Sequence, residues 1–255
     1  VTIKNISHFH YAGIDSRDMG VINVSLDSGL YEDSFGASRT IIEEKTPFRD
    51  EPYFFGFNNE PRQFQLSFYF VDGWDEFKIR QVVRWLKQDY YQPLYFWDAV
   101  PERIYNCLVV DEPKIIHNGL QQGFLTLTFR CDSPYSYSHF YEETYEIGDT
   151  PFEWDIYNSG DVTITPNIEF KKIGNGDFSI MNYRNGGKEV KVSNLLDQEI
   201  IKINGDRCTI ETSLVNQYRY NDFNNQSLEL VYGKNTLKFT GKGTINLLIR
   251  YKFLM

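Results

Sequence analysis

The sequence predicts a mostly β protein in two parts: an N-terminal α+β domain built on a sheet or barrel with one helix, then an all-β sandwich. Three observations predict it. Aromatic residues make up 16% of the 255 residues, with 20 Phe and 18 Tyr, a usage that suits half-buried pleated surfaces. One stretch, around Ile79 to Leu86, carries a helical period. Beyond Phe140, short period-2 segments follow one another between turn residues, with no second helical stretch.

The elements follow in order. "GVINVSLDSG" reads as a strand running into a turn. "RQFQLSFYFVDG" is the clearest strand: Phe64, Leu66, Phe68 and Phe70 share one parity and face one core, and Asp72-Gly73 ends it. "WDEFKIRQVVRWLKQDYY" changes period, with Ile79, Val82, Val83, Leu86 and Tyr90 forming an apolar helical stripe. Asp75 is placed to cap this helix, Glu76 to complement its positive end, and Pro93 to close the segment. "PLYFWD", "RIYNCLVV" and "GFLTLTFRC" follow as strands.

Thr46 to Pro61, "TPFRDEPYFFGFNNEP", fits neither a central strand nor a disordered tail. Its three prolines and charge pairs argue against the first; Tyr53, Phe54, Phe55 and Phe57 argue against the second. Two readings stay open: an extended arm covered by another subunit, or a long loop folded back over its own core.

After Phe140 the segments "FEWDIYN", "PNIEFKKI", "FSIMNY", "KEVKVSN", "EIIKING", "RCTIET", "SLELVYG", "NTLKFTG" and "TINLLIRYKFL" alternate as strands, separated by turn pairs such as Gly174-Asn175, Gly186-Gly187 and Asn204-Gly205. This predicts an antiparallel sandwich, with the long last strand inside a sheet. The boundary falls at Ser133-Pro134-Tyr135, giving domains 1–133 and 134–255. Proline stops the preceding strand there, and Tyr135, Tyr137, Tyr141 and Tyr145 open the second domain as a tyrosine-faced strand.

Charge narrows the function classes. The chain carries −9: residues 1–133 hold 13 Lys/Arg against 19 Asp/Glu, residues 134–255 hold 13 against 16. Neither half has the basic footprint of a nucleic-acid binder. Cys107, Cys131 and Cys208 are odd in number and widely spaced, which predicts reduced thiols rather than a disulfide framework. No apolar run reaches a membrane span, and "VTIKNISHFH" alternates rather than forming a signal peptide.

Motifs that could carry chemistry read as structural. Cys131 and His139 stand eight residues apart across Pro134, with no glycine-rich elbow to supply oxyanion donors. Cys131 shares parity with Phe129 and Leu127, the position of a buried hydrophobe. His8 and His10 share a face but lack a third ligand at fixed spacing. Glu43-Glu44, Asp50-Glu51 and Glu142-Glu143 are adjacent, so each pair splits across two faces. "GNGD" is a turn, not a phosphate loop. No catalytic, metal or cofactor residue is assigned. Trp154, Tyr218 and Tyr220 fit either a sugar-stacking face, the mark of a carbohydrate-binding module, or core and subunit contacts.

Three motifs, in this order and spacing, carry a resemblance. They are "SRDMGV" at Ser16 to Val21, "CDSPYSYSHF" at Cys131 to Phe140, and "YNSGDVTITPNIEF" at Tyr157 to Phe170, with Asn158, Gly160 and Pro166. Together they make the chain resemble the distal tail proteins of long-tailed, non-contractile bacteriophages that infect Gram-positive bacteria. The resemblance implies an N-terminal domain forming a hexameric ring, single or stacked, around a channel that lets DNA pass. It implies a galectin-like or carbohydrate-binding-module-like C-terminal sandwich, no enzymatic activity and no cofactor. The implied partners are other copies of the chain, the major tail tube protein, the tail-associated tip protein and receptor-binding proteins. The implied place is the virion tail tip, after synthesis in the host cytoplasm. Tyr53, Phe54, Phe55 and Phe57 are then the candidate subunit-contact arm, and Ser133, Pro134 and Tyr135 the interdomain joint.

Overall fold

A computed structural model of the chain describes residues 6–24, 36–96, 103–111, 114–117, 123–149 and 151–254. Backbone contacts divide it into one unit of residues 1–137 with 254–255 and a second of 138–253. The strand expected from Gly20 is described as far as Val24, and that expected in "PLYFWD" as far as Phe96; the rest of both expectations lies outside the described residues.

The first unit contains β1 (Phe9–Tyr11), β2 (Ile14–Asp15), β3 (Val21–Val24), β4 (Arg39–Glu44), β5 (Tyr53–Asn59), β6 (Gln63–Phe70), α1 (Glu76–Leu86), β7 (Gln92–Phe96), β8 (Tyr105–Val109), β9 (Lys114–His117) and β10 (Gly123–Cys131). Its main sheet is antiparallel, in the order β2-β1-β7-β8-β10-β6-β3, with β9 paired beside β10. The sheet curls. Asn23 of β3 donates its backbone N–H to the Ser7 carbonyl at 2.8 Å and its side-chain amide to the Ile6 carbonyl at 2.9 Å, so the far edge closes on the residues leading into β1.

The parity read from β6 holds: Leu66, Phe68 and Phe70 are buried and Phe64 packs beside them. Phe9 stacks on Phe68 with ring centroids 4.7 Å apart, and on Trp85 of α1 at 5.6 Å. Offset aromatic pairs of this kind add to the stabilisation from burial itself. Trp85 also donates its indole N–H to the Tyr11 carbonyl at 2.8 Å. Asp75 caps α1, its Oδ1 accepting from the Lys78 N–H at 2.7 Å. The far end differs from expectation. The helix stops at Leu86, Tyr90 is exposed beyond it, and Pro93 sits inside β7 rather than closing the segment.

The second unit holds β11 (Ser136–Ile147, entered from the first), β12 (Phe152–Asn158), β13 (Asn167–Lys172), β14 (Gly176–Asn182), β15 (Lys188–Leu195), β16 (Ile200–Asn204), β17 (Thr209–Thr212), β18 (Gly233–Thr240) and β19 (Gly243–Phe253). One sheet is ordered β11-β19-β13-β16-β17, the other β12-β18-β14-β15. Their inner faces share one core, in which Phe170 of β13 and Phe178 of β14 stack at 3.8 Å. The last strand lies inside its sheet, as its length predicts.

Two expectations change here. "SLELVYG" forms no strand; only Leu230 bridges, to Ile164. Buried asparagines replace the missing ladder. Asn158 donates to the carbonyls of Val162 and Leu230, Asn182 to that of Glu229, and Asn235 to those of Val231 and Gly233. Buried backbone groups need such partners. The tyrosine face of β11 is only partly covered: Tyr141 is exposed, whereas Tyr145 packs against core residues.

Candidate functional site

The segment that sequence leaves undecided is a β-hairpin. Among the described residues β4 and β5 pair only with each other, from Arg39 opposite Asn59 to Glu44 opposite Tyr53, with a bulge between Ile42 and Glu43. Gly56 takes a φ of +143, which an L side chain rarely adopts. Both faces are apolar: Ile41, Ile42, Tyr53, Phe54, Phe55 and Phe57 are all exposed, Phe55 by 66%. The reading of a loop folded over its own core is therefore set aside. An isolated two-stranded hairpin is marginal in water, and a contiguous apolar patch of this kind marks an interaction surface.

Cations stiffen the hairpin. Arg39 lies over the Phe57 ring at 4.7 Å and donates to Asn59 Oδ1 at 3.0 Å; Arg49 lies over the Tyr53 ring at 4.2 Å. At the tip, Thr46-Pro47-Phe48-Arg49 forms a turn closed by the Arg49 N–H to the Thr46 carbonyl at 3.4 Å. Phe48 sits there at φ +68 and is fully exposed, at 109%. That third turn position is normally glycine or asparagine. Sequence reasoning missed Phe48. The signal lay in Pro47: proline favours the second position of a turn, and in a type II turn the next residue takes positive φ.

The residues expected at the joint, Ser133, Pro134 and Tyr135, lie within the first unit. Ser133 Oγ accepts from the Tyr135 N–H at 3.3 Å and shares a 2.7 Å hydrogen bond with the Tyr137 hydroxyl, while the Ser133 carbonyl accepts from the Arg62 N–H at 3.1 Å. Pro134 lies in the bend between β10 and β11.

The motifs weighed for chemistry are placed as follows. Cys131 is fully buried opposite Cys107 in the β8–β10 ladder. Burial pushes its thiol up to about 12, and pushes Cys107 well above the ordinary thiol range. Neither supplies a thiolate near neutrality. His139 is exposed on β11. His10 stacks on Tyr95 at 4.7 Å. Among the described residues no group of three or more His, Cys, Asp or Glu could hold a metal ion. Glu43, Glu44, Asp50, Glu51, Glu142 and Glu143 are exposed. Trp154 stands beside Tyr145 at 4.9 Å and Phe152 at 6.0 Å, Tyr218 and Tyr220 stack on each other at 6.0 Å, and all three of Trp154, Tyr218 and Tyr220 are exposed. No described helix is long and apolar enough to cross a membrane.

Comparison with known proteins gives four findings. Residues 4–133 match a family model described as a phage tail protein N-terminal domain, and residues 133–251 one described as a phage tail C-terminal domain. The SPbeta prophage-derived protein YomH of Bacillus subtilis strain 168 is 33% identical over 257 residues, covering 99% of this chain and all of that one. Among solved structures, the fold resembles the Dit protein of phage SPP1, described as a paradigm of the hub adsorption apparatus in phages infecting Gram-positive bacteria. The TM-score is 0.70 at 16% identity, over 97% of this chain and all of that one. It also resembles a chain of the phage p2 baseplate in its activated conformation with Ca, with a TM-score of 0.51 at 8% identity, over 96% and 98% of the two chains.

Proposed function

The chain belongs to the phage tail protein family matched by its two domains, and from that membership we propose that it is a distal tail hub. Its N-terminal units pack head-to-tail into a closed hexameric ring that joins the tail tube to the tip or baseplate. The ring leaves a channel for DNA. The fold likeness to the SPP1 Dit protein and to the p2 baseplate supports this role.

The observation that carries it is the β4–β5 hairpin. A two-stranded sheet apolar on both faces gains by lying against another molecule. In a head-to-tail contact that molecule is the next copy, and rotation closes the ring. Tyr53, Phe54, Phe55 and Phe57 are the contact arm. Burying them with an adjacent sheet edge fits the ~1,200–2,000 Å² of a stable interface.

The C-terminal two-sheet unit is a galectin-like module, with Ser133, Pro134 and Tyr135 as the joint. The remaining partners are the major tail tube protein, the tail-associated tip protein and receptor-binding proteins, at the virion tail tip after synthesis in the host cytoplasm. The acidic balance of residues 1–133 suits a channel wall that repels passing DNA.

Negative-stain images and native mass spectrometry of the purified chain test this. Rings of six with a central hole are expected; a monomer at every concentration, with and without the tail tube protein, overturns it.

A further inference from the structure

The tip of the hairpin has a counterpart elsewhere on the same unit. Phe48 stands fully exposed on a turn position that disfavours it. Beside the C-terminal end of α1 lies a cavity of about 290 Å³, lined by Val83, Leu86, Val110 and Leu125 together with Lys87 and Asp111. An apolar cavity of about 150 Å³ already accepts a benzene ring, so this one accommodates a phenyl group. Being exposed, Phe48 does not fill the cavity of its own chain.

The flanking charges match. Phe48 is followed by Arg49 and Asp50, while the two charged residues of the cavity are the exposed Lys87 and Asp111. Each sign at the tip has its opposite at the cavity, the complementarity that fixes register between partners. Knob and socket lie on different parts of one molecule, so their contact is heterologous and propagates from copy to copy. From these observations we infer that Phe48 of one copy seats in the α1 cavity of the next, with Asp50 facing Lys87 and Arg49 facing Asp111. The inference rests on the ring proposed above and names the socket that receives the arm.

Sedimentation velocity on the full chain tests it, with the melting temperature of the dissociated chain as the second readout. Phe48→Gly is expected to weaken association by about 30-fold, as for a buried aromatic anchor. It is also expected to hold or raise the melting temperature, because glycine suits the positive φ. A merely structural Phe48 would lower both. Val110→Trp, which fills the socket, weakens association from the other side. Asp50→Lys and Lys87→Glu each weaken it, and the pair together restores it. If the wild-type ring forms and both Phe48→Gly and Val110→Trp leave its dissociation constant unchanged, the socket is wrong and the hub reading stands. If the wild-type chain never self-associates, both fall. A benzoylphenylalanine placed at position 48 distinguishes sites: crosslinks to a second copy within residues 83–87 or 109–111 support the inference, and crosslinks only elsewhere overturn it.

Discussion

The Arg219 guanidinium holds the Glu199 carboxylate by two parallel hydrogen bonds, Nε to Oε1 at 2.8 Å and Nη2 to Oε2 at 2.7 Å. Glu199 is buried and also accepts from the Leu196 N–H at 2.9 Å and the Thr212 hydroxyl at 2.6 Å. Arg219 donates onward to Asp222 at 3.1 Å. The cluster ties β16 and β17 to the irregular segment before Phe223. Removing the cation strands a buried charge, which costs more than removing both partners. Arg219→Met is expected to destabilise the second unit by about 3–5 kcal/mol. The double variant Arg219→Met/Glu199→Leu should cost clearly less. Urea unfolding followed by circular dichroism of the three proteins checks the order; equal losses in single and double variants refute it.

The same cluster sets an acid limit. Burial pushes Glu199 upward, but the hydrogen bonds from Arg219, Leu196 and Thr212 outweigh it, and its carboxyl ends below the ordinary range. Asp222 is lowered by Asn194 and Arg219. Carboxyls lowered by folding contribute stability that is fully present above their unfolded values, about 4.3 for Glu and 3.9 for Asp. That stability is lost as pH falls through the folded values. The second unit is therefore expected to hold its melting temperature from pH 7 to about pH 5 and to lose it steeply below pH 4. In Arg219→Met the acid slope should be shallower. An unchanged slope would remove the pair from the account.

The three thiols should separate by reactivity. Cys107 and Cys131 face each other at zero exposure, and burial raises both. Cys208 is partly exposed at φ +52 in the turn before β17. Thiol reagents attack the thiolate. In the folded chain at pH 8, Ellman's reagent is expected to label Cys208 first, and Cys107 and Cys131 only at the rate of unfolding. Prompt labelling of two or three thiols would contradict the buried ladder.

Legibility followed periodicity. The β6 parity, the Asp75 cap and most second-unit strands were readable because one face of each element meets a core and the other meets water. Trp85 was the anchor of α1, yet the stripe read from sequence omitted it, since Ile79 and Val83 fit the helical spacing equally well and are only partly buried. Pro93 misled for a related reason. Proline argues against an interior strand, yet Pro93 stands inside β7 between β1 and β8, and its carbonyl accepts from the Ala12 N–H at 3.3 Å. The hairpin resisted reading because it has no buried face to impose alternation. The segment before Tyr232 alternated like a strand, yet the carbonyls of Glu229 and Leu230 accept from the side chains of the distant Asn182 and Asn158, and no local pattern announces that.

The Asn-x-Gly motif now has a physical content. Asn158 Oδ1 accepts from the Gly160 N–H at 2.9 Å while its amide donates to Val162 and Leu230, so one side chain organises the turn after β12. Gly160 is required for a different reason: a Cβ there would stand 2.7 Å from the Lys252 carbonyl and 3.0 Å from its N, both backbone atoms of β19. Backbone on a central strand moves little, so Gly160→Ala is expected to cost about 1–3 kcal/mol through overpacking. The adjacent Asp161 N–H to Lys252 carbonyl bond, 2.9 Å long, weakens with it. Asn158→Leu, nearly isosteric, keeps the volume but strands the Val162 carbonyl, worth about 1–3 kcal/mol when buried without a donor, and leaves the Leu230 carbonyl with the Ile164 N–H at 3.1 Å as its donor. Hydrogen exchange discriminates the two. Gly160→Ala should speed exchange at Asp161 and along the end of β19, Asn158→Leu at Gly160 and around Leu230. Wild-type protection in either variant at its own site would show that the motif serves something other than packing.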